Sequence, residues 1–197
     1  MGAGESAGGD EDAVVPGERE LLALVARRDR RAFTELYRRY QPRLLAYLYR
    51  LLSNAALADE IADDVLFVVW QDAKKFRGTS AVSSWIFGIA YRKSMTALRR
   101  ELRYQKPLDR QADIGRLPAL SRADMEFVHA GLSALSADHR QVVELTYFCG
   151  FSYQEIAEIA DCPVNTVKTR MFHARRRLTT LLPELAGDGV KPGREHG

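Results

Sequence analysis

Polar and cationic side chains recur at helical spacing between Val164 and Leu181, near the C-terminal end of the chain. With successive residues about 100° apart on a helix, one stripe is apolar and is predicted to be buried. It contains Val164, Val167, Met171, Ala174, Leu178 and Leu181. The other side is a polar ridge between two cationic shoulders, without an acidic residue before Glu184. This basic face comprises Asn165, Lys168, Thr169, Arg170, Phe172, His173, Arg175, Arg176 and Arg177.

The basic face suits a helix that lies in the major groove of duplex DNA. Polar side chains on the ridge would meet base edges, and the cations beside them would meet phosphates. The alternative is an ordinary solvated basic helix. Phe172 argues against it, because an aromatic ring on a polar face is costly unless a thymine methyl group or a partner covers it. The chain is therefore predicted to bind duplex DNA through this helix.

Two signals predict a helix-turn-helix that would present the basic face. Ser152 followed by Glu155 is a capping box, in which each side chain satisfies a backbone N–H of the first helical turn. The helix that starts there is broken at Asp161-Cys162-Pro163, because proline is tolerated only in the first turn of the helix that follows. The second helix is predicted to begin at about Val164.

A helix predicted over residues 56–75 combines carboxylates with aromatic rings. Its inward stripe is predicted to contain Ile61, Val65, Leu66, Val69, Ala73 and Phe76. Its other side, the acidic-aromatic face, contains Asp59, Glu60, Asp63, Asp64, Phe67, Trp70 and Gln71. Large rings with a polar rim are typical of docking surfaces, so a basic protein partner is predicted. The alternative is that helix 30–52 or the N-terminal helix covers both rings.

A third candidate surface follows directly, in residues 76–103. Phe76, Arg77 and Ser80 lie in a predicted loop, and Ser83 or Ser84 could cap the next helix. Cations then share one stripe of that helix, which suggests phosphate binding. Aromatic rings beside cations also suit unstacked single-stranded bases, although Phe76 and Trp85 could equally be core residues. The stripe contains Arg92, Lys93, Arg99, Arg100 and Arg103.

Composition narrows the class of protein. The 197 residues carry a formal net charge of only +3, so the uneven placement of charge is the informative feature. No apolar run approaches the roughly 20 residues of a membrane span, and no signal segment is evident, so a cytoplasmic protein without membrane insertion is expected. Cys149 and Cys162 are too far apart for a close metal-ligand pair and are predicted to be reduced, partly buried thiols.

The chain is predicted to be all-α, because no segment alternates with the period of two typical of strands. A first helix is expected from Glu18 to about Arg28, and Asp29 is placed to cap the next one, which Pro42 restarts. Ser136 begins a later helix that Gly150 ends. Two small helical domains joined by a flexible linker are predicted. Their order is a disordered tail (1–16), an N-terminal domain (17–103), the linker (104–122), a C-terminal domain (123–184) and a second disordered tail (185–197).

These motifs together resemble the extracytoplasmic-function sigma factors of bacterial RNA polymerase. In the C-terminal domain the resemblance is carried by residues 135–143, 151–157, 166–170 and 174–175. In the N-terminal domain it is carried by Ala32-Phe33, the acidic helix that ends in Trp70, Phe76-Arg77, Trp85-Ile86 and Ile89-Ala90. The resemblance spans nearly everything between the two tails.

The resemblance implies a role for each surface. The acidic-aromatic face would dock on the clamp coiled coil of core RNA polymerase, and the flap of the polymerase would be a further contact. Phe76, Arg77, Ser80, Trp85, Arg92 and Lys93 would recognise the melted minus-ten element. Asn165, Lys168, Thr169, Arg170, Phe172, His173, Arg175 and Arg176 would read the duplex minus-thirty-five element of promoter DNA. An anti-sigma factor is an expected inhibitor, whereas no cofactor, metal or small-molecule substrate is expected.

Two departures from the family's usual pattern accompany the resemblance. The family often has Gln-Glu at Asp63-Asp64, and it usually has a basic residue within Phe67-Val68-Val69. Arginine is frequent at His173, and a neutral histidine lacks its two-pronged grip on guanine, so base preference is expected to differ.

Two other functional classes remain as alternatives. A stand-alone helix-turn-helix regulator would usually dimerise on a symmetric site, and the chain has no dimerising heptad. A nucleic-acid enzyme would need a catalytic centre. Asp59, Glu60, Asp63 and Asp64 could bind a metal, but they lie along one helix without a neighbouring histidine or cysteine, so a solvated acidic face is favoured. A non-enzymatic initiation subunit is therefore predicted.

Overall fold

The computed structural model describes residues 16–52, 54–104, 128 and 130–187, and within this part the regular structure is entirely helical. The all-α prediction is confirmed. The N-terminal unit contains α1 (Glu18–Ala26), α2 (Arg30–Leu52), α3 (Ala55–Asp72), a 3-10 turn (Ala73–Lys75) and α4 (Val82–Tyr104). The C-terminal unit contains a helical turn at residues 130–133, α5 (Ala137–Val143), a π-helical turn (Glu144–Phe148), α6 (Tyr153–Ala160) and α7 (Val164–Gly187).

Local signals in the sequence fix most helix ends. The Asp29 carboxylate accepts hydrogen bonds from the N–H groups of Arg31 and Ala32 at 2.8 and 3.0 Å, as a cap of α2 should. Ser152 and Glu155 form the predicted capping box at the start of α6. Gly150, the second residue after the π-helical turn, has φ +75°, a conformation that glycine adopts at little cost because it lacks a side chain.

Two predicted helix boundaries are wrong. Pro42 does not restart a helix, because α2 runs through it without a break from Arg30 to Leu52. The apolar residues on both sides of Pro42 are buried in the same core, and this burial outweighs the backbone hydrogen bond that proline cannot donate. Neither Ser83 nor Ser84 caps α4, since α4 begins at Val82 and both serines lie within its first turn.

The predicted tails and linker lie mostly outside the described residues. Of the tail 1–16 only Pro16 is described, and of the linker 104–122 only Tyr104, which ends α4. At the other end α7 continues to Gly187, so residues 185–187 of the predicted tail are helical. None of the described helices combines the length and apolar character that crossing a membrane requires.

One apolar core continues through both units and sets the orientation of their surface helices. In the N-terminal unit α2 packs against α1, α3 and α4, and its buried positions include Leu36, Tyr40, Leu44, Tyr47 and Leu48. In the C-terminal unit α5, α6 and α7 bury Val142, Ile156, Ile159, Val167 and Met171. Because these side chains hold fixed faces inward, the acidic-aromatic face and the basic face are both turned outward.

The two units are in direct contact through α4 and α6. A Cβ atom built on Gly88 of α4 would lie 3.6 Å from the backbone oxygen of Ile159, so the two helices approach closely. Beside this contact the rings of Phe87 and Phe151 meet edge to face, with centroids 4.9 Å apart. The sequence offered no signal for this arrangement, because the contacting residues are far apart along the chain.

Candidate nucleic-acid and protein-binding surfaces

The basic face of α7 is oriented as the sequence predicted. Val167, Met171, Ala174 and Leu181 of the apolar stripe are buried, and Val164 and Leu178 are half-buried. Along the ridge, Phe172 is 62% exposed, which is high for so large an apolar ring. Asn165, Lys168, Thr169, His173, Arg175, Arg176 and Arg177 are exposed as well. This face could therefore enter a DNA groove without any rearrangement of α7.

The arginines of the basic face differ in how their side chains are held by neighbouring residues. Arg170 is only half-exposed, and its guanidinium forms an ion pair with Asp138 at 3.1 Å. Arg175 donates two hydrogen bonds to the hydroxyl oxygen of Tyr147, at 3.1 and 2.7 Å. Arg170 must therefore break its ion pair with Asp138 before it can bind a phosphate. Arg175, in contrast, is held by an uncharged hydroxyl group.

His173 forms a ring stack that the sequence did not predict. Its ring lies over that of His139 in α5, with centroids 6.0 Å apart, and it contacts Phe172 edge to face at 5.4 Å. The pKa of His139 is lowered, first by its burial and then by the neighbouring His173. The stack therefore places a second imidazole ring of α5 next to the ridge.

The acidic-aromatic face of α3 borders an open groove. Phe67 is 57% exposed and lines a groove of about 400 Å³ together with Arg30, Phe33, Thr34 and Trp70. The carboxylates along α3 are exposed beside it, at Asp59, Glu60, Asp63 and Asp64. The groove lining itself is aromatic with one cation, Arg30, so the negative charge near it comes from Asp63 and Asp64, about one helical turn from Phe67 on α3.

Trp70 is less exposed than the sequence suggested. Its ring is half-buried and packs on Phe33 of α2, with centroids 5.0 Å apart. The guanidinium of Arg28 lies 5.3 Å from the ring centroid and donates a 2.7 Å hydrogen bond to the Trp70 carbonyl. The outward placement of the rings holds for Phe67, whereas for Trp70 the alternative is partly correct, because α2 and the end of α1 partly cover its ring.

One tyrosine and one lysine hold two of the carboxylates of α3 in place. The Tyr49 hydroxyl donates to Asp59 at 2.6 Å. Lys93 of α4 forms an ion pair with Asp64 at 2.7 Å. Since both partners of that ion pair are well hydrated, the pair adds little stability, but it joins a residue of the predicted minus-ten set to one of the predicted polymerase-binding set.

Phe76 and Trp85 lie together at the start of the predicted minus-ten surface. Their rings are 5.6 Å apart, and both are half-buried, so each is partly a core residue and partly accessible. Arg77 is exposed in the loop, Ser80 is half-exposed, and Arg92 is exposed on α4. Arg99 and Arg100 are exposed further along α4, whereas the side chain of Arg103 lies outside the described part.

Several contact residues were missed by sequence reasoning. Arg19 donates hydrogen bonds to two carbonyl groups of the loop, across a separation of about 60 residues, and Arg28 covers Trp70 across 42. Tyr147, which orients Arg175, is 57% exposed. No periodicity could have revealed these contacts, because each joins segments that are far apart along the chain.

The described residues do not gather a metal site. Nowhere in this part of the chain do three His, Cys, Asp or Glu side chains converge as ligands would. Cys149 and Cys162 are both half-buried free thiols, as predicted, and burial raises the pKa of the Cys149 thiol to about 12.

Comparisons with known proteins agree with the order of these surfaces. Residues 36–104 match the family model of Sigma-70 region 2, and residues 128–178 match that of Sigma-70, region 4. The RNA polymerase sigma-H factor of Pseudomonas aeruginosa is 29% identical over 85% of this chain and 95% of its own length. The ECF RNA polymerase sigma factor RpoE of Cereibacter sphaeroides is 30% identical over 80% of this chain and 90% of its own.

A solved structure also resembles most of the chain. It is the sigma factor RpoE of Bartonella quintana, in a co-crystal with the anti-sigma factor NepR. It superposes with a TM-score of 0.62 at 27% identity, covering 77% of this chain and 96% of that one.

Proposed function

Because the chain belongs to the ECF RNA polymerase sigma factors, we propose that each of its exposed surfaces serves one step of promoter recognition. The protein is a transcription initiation factor that binds core RNA polymerase and directs it to specific promoters. The observation that carries the assignment of the surfaces is their combination in one chain. An exposed basic helix face occurs in the C-terminal unit, and an aromatic groove occurs in the N-terminal unit on the same helix, α3, as a row of exposed carboxylates.

The aromatic groove beside α3 and the carboxylates of α3 are proposed to bind the polymerase together. A basic, helical element such as the clamp coiled coil would place an apolar side chain against Phe67 and its cations against Asp59, Glu60, Asp63 and Asp64. Gln71 at the end of α3 would extend the same contact. Trp70 would form the floor of the groove, because Phe33 and Arg28 hold its ring in place.

The loop before α4 is proposed to receive the melted minus-ten strand. Arg77 is exposed there, Ser80 lies beside it, and Arg92 continues the positive surface along α4. The partly accessible rings of Phe76 and Trp85 offer a stacking surface for an unpaired base. Lys93 would contact the strand only after its ion pair with Asp64 breaks, so its contribution to minus-ten binding is expected to be smaller.

The basic face of α7 is proposed to read the minus-thirty-five element. Phe172 and His173 at its centre would meet base edges, with Asn165 and Thr169 on the same ridge. Lys168 and Arg175 would hold phosphates along one side of the ridge, and Arg176 lies on the ridge itself. Arg170 is expected to contribute less to DNA binding, because its guanidinium is already paired with the Asp138 carboxylate.

Binding both elements at once requires the two units to separate. The elements are centred roughly 25 base pairs apart, which at about 3.4 Å per pair is roughly 85 Å of duplex. In the free protein α4 and α6 are in van der Waals contact. We infer that the contact between the units is released when the protein joins the polymerase at a promoter.

An anti-sigma factor is a fitting regulator of such a protein. The RpoE structure that resembles this chain contains one, bound to a protein of the same fold. We propose that an anti-sigma factor holds this chain in a closed form, in the cytoplasm where the polymerase and the chromosome are. The polymerase would supply all the chemistry, so no catalytic residue, cofactor or small-molecule substrate is assigned to this chain.

Run-off transcription with purified core polymerase and a library of promoter fragments tests the proposal. Transcripts that start at a subset of fragments, and only when this protein is added, are expected. A Phe67→Ala variant should abolish these transcripts, but it should still bind duplex DNA in the absence of the polymerase. Binding to DNA without any capture by core polymerase would instead indicate a stand-alone regulator.

A further inference from the structure

A helix outside the matched family segment reaches the loop proposed to hold the minus-ten strand. The region 2 match begins at residue 36, whereas α1 spans Glu18–Ala26. From α1 the guanidinium of Arg19 donates two hydrogen bonds to backbone carbonyls of the loop. One goes to Gly78 and the other to Ser80, each at 3.0 Å.

Arg19 also packs against the base of the loop. Its guanidinium carbon lies 5.9 Å from the centroid of the Phe76 ring. Gly78 has φ +74°, and a Cβ atom built on it would lie 3.3 Å from the Arg19 Nη1 atom. The left-handed turn at Gly78 therefore presents its carbonyl to Arg19 at close range, in a conformation that residues with side chains rarely adopt.

The loop has little else to fix its shape. Among the residues that the structure describes, no backbone–backbone hydrogen bond links residues 77–80 to another segment. The planar guanidinium can hold two carbonyls at once in a fixed geometry, which the single ammonium group of lysine does not reproduce. One side chain of α1 thus defines the path of the loop between Phe76 and Ala81.

We propose that Arg19 is a positioning residue for minus-ten recognition. It acts through Gly78 and Ser80, and it holds the loop in the shape that receives an unpaired base. The proposal rests on the proposed function of the loop. A loop that is already ordered loses less conformational entropy when it binds a base, so the ordering by Arg19 favours binding and sharpens base selection.

The test uses the full chain assembled with core RNA polymerase from the same bacterium. The probe is a fork-junction DNA pool with a fixed duplex and randomised bases in the single-stranded non-template segment. Bound DNA is sequenced to measure base enrichment, and binding of the enriched and unselected pools is titrated. Arg19→Ala, Arg19→Lys and the control Arg27→Ala are compared with the natural chain. Arg27 is exposed at the end of α1.

The natural chain is expected to enrich particular bases. Arg19→Ala should bind the enriched pool roughly tenfold more weakly and the unselected pool about as well as before, because loop ordering and not phosphate attraction is lost. Arg19→Lys should recover only part of the enrichment, and Arg27→Ala should match the natural chain. Core binding and the thermal midpoint should be unchanged in all variants, which separates positioning from a general structural effect.

Three outcomes would overturn the inference. Full enrichment by Arg19→Ala would remove Arg19 from base selection. Equal losses in core binding, thermal midpoint and both DNA pools would make Arg19 a structural residue only. Absence of enrichment by the natural chain would overturn the proposed function of the loop itself, a result that the first two outcomes do not produce.

Discussion

Arg50 of α2 donates a 2.6 Å hydrogen bond from Nε to Oε2 of Glu144, and this ion pair joins the N-terminal unit to the C-terminal unit. The Glu144 side chain is fully buried and that of Arg50 is 12% exposed. Next to the pair, the Tyr47 hydroxyl donates to the side-chain oxygen of Gln141, and Arg140 donates to the Leu51 carbonyl at 2.9 Å. A buried polar network therefore holds the closed arrangement together.

Removal of Arg50 is predicted to weaken the closed arrangement strongly. Arg50→Ala leaves the Glu144 carboxylate buried without its cation, a change that costs about 3 kcal/mol in comparable pairs. It also removes the contact between the guanidinium and the Phe148 ring, 4.5 Å away. Chemical denaturation and the distance between spin labels on the two units would report the change. The exposed Arg38→Ala on the same helix should alter neither, and equal behaviour of the two variants would contradict the prediction.

The folded chain is predicted to be more stable in mildly acidic solution because of its buried Glu144. Burial raises the pKa of Glu144 to about 7, although Arg50 and Arg140 lower it, against 4.5 for an ordinary carboxyl group. The folded state therefore binds the proton more tightly, so this contribution is complete below 4.5 and is lost as the pH rises through about 7. Cys149 stays protonated in this window, because its pKa is about 12.

The measurement is the unfolding free energy of the natural chain and of Glu144→Gln across that pH range. Taking the difference between the two chains removes groups that titrate in both, including His139, whose lowered pKa acts in the opposite direction. The natural chain should lose stability relative to Glu144→Gln as the pH rises. A difference that is constant with pH would show that Glu144 does not titrate in this window.

Phe67 is predicted to anchor the polymerase. Phe67→Ala should weaken binding to core polymerase by more than about tenfold, because truncating a central ring in a docking groove is costly. Folding should be little affected, since the ring is 57% exposed. Competition binding against a labelled natural chain measures the effect. Leu24→Ala serves as a control with 36% exposure on α1, and Trp70→Ala is less informative because that ring also packs on Phe33.

Lys168 is predicted to contact one phosphate. Lys168→Ala should reduce the slope of the logarithm of duplex affinity against the logarithm of salt concentration by about one. The duplex would be selected from a random library by the natural chain. Lys74→Ala, an exposed change in the N-terminal unit, should leave the slope unaltered. Arg170→Ala should change it less than Lys168→Ala, because Asp138 already neutralises Arg170. An unaltered slope for Lys168→Ala would exclude the phosphate contact.

The sequence by itself determined the helical class, most helix ends and the outward face of α3 and α7. These features depend on residues three or four apart, whose spacing fixes which side of a helix is apolar. The capping box at Ser152 and Glu155 and the cap at Asp29 are equally local, so they were predicted correctly. The prediction at Pro42 was wrong because it considered only the local effect of proline on a helix. Burial of the apolar residues on both sides of Pro42 is the stronger effect.

Only the tertiary structure decided how the surfaces are supported and joined. Arg19 holds a loop about 60 residues away, and Arg50 meets Glu144 across 94 residues. The packing of the helices also half-buries Trp70 under Arg28 and places the Asp138 carboxylate beside Arg170. Such contacts depend on the packing of whole helices against one another, and the pattern of side chains along any single helix contains no record of which partner it meets.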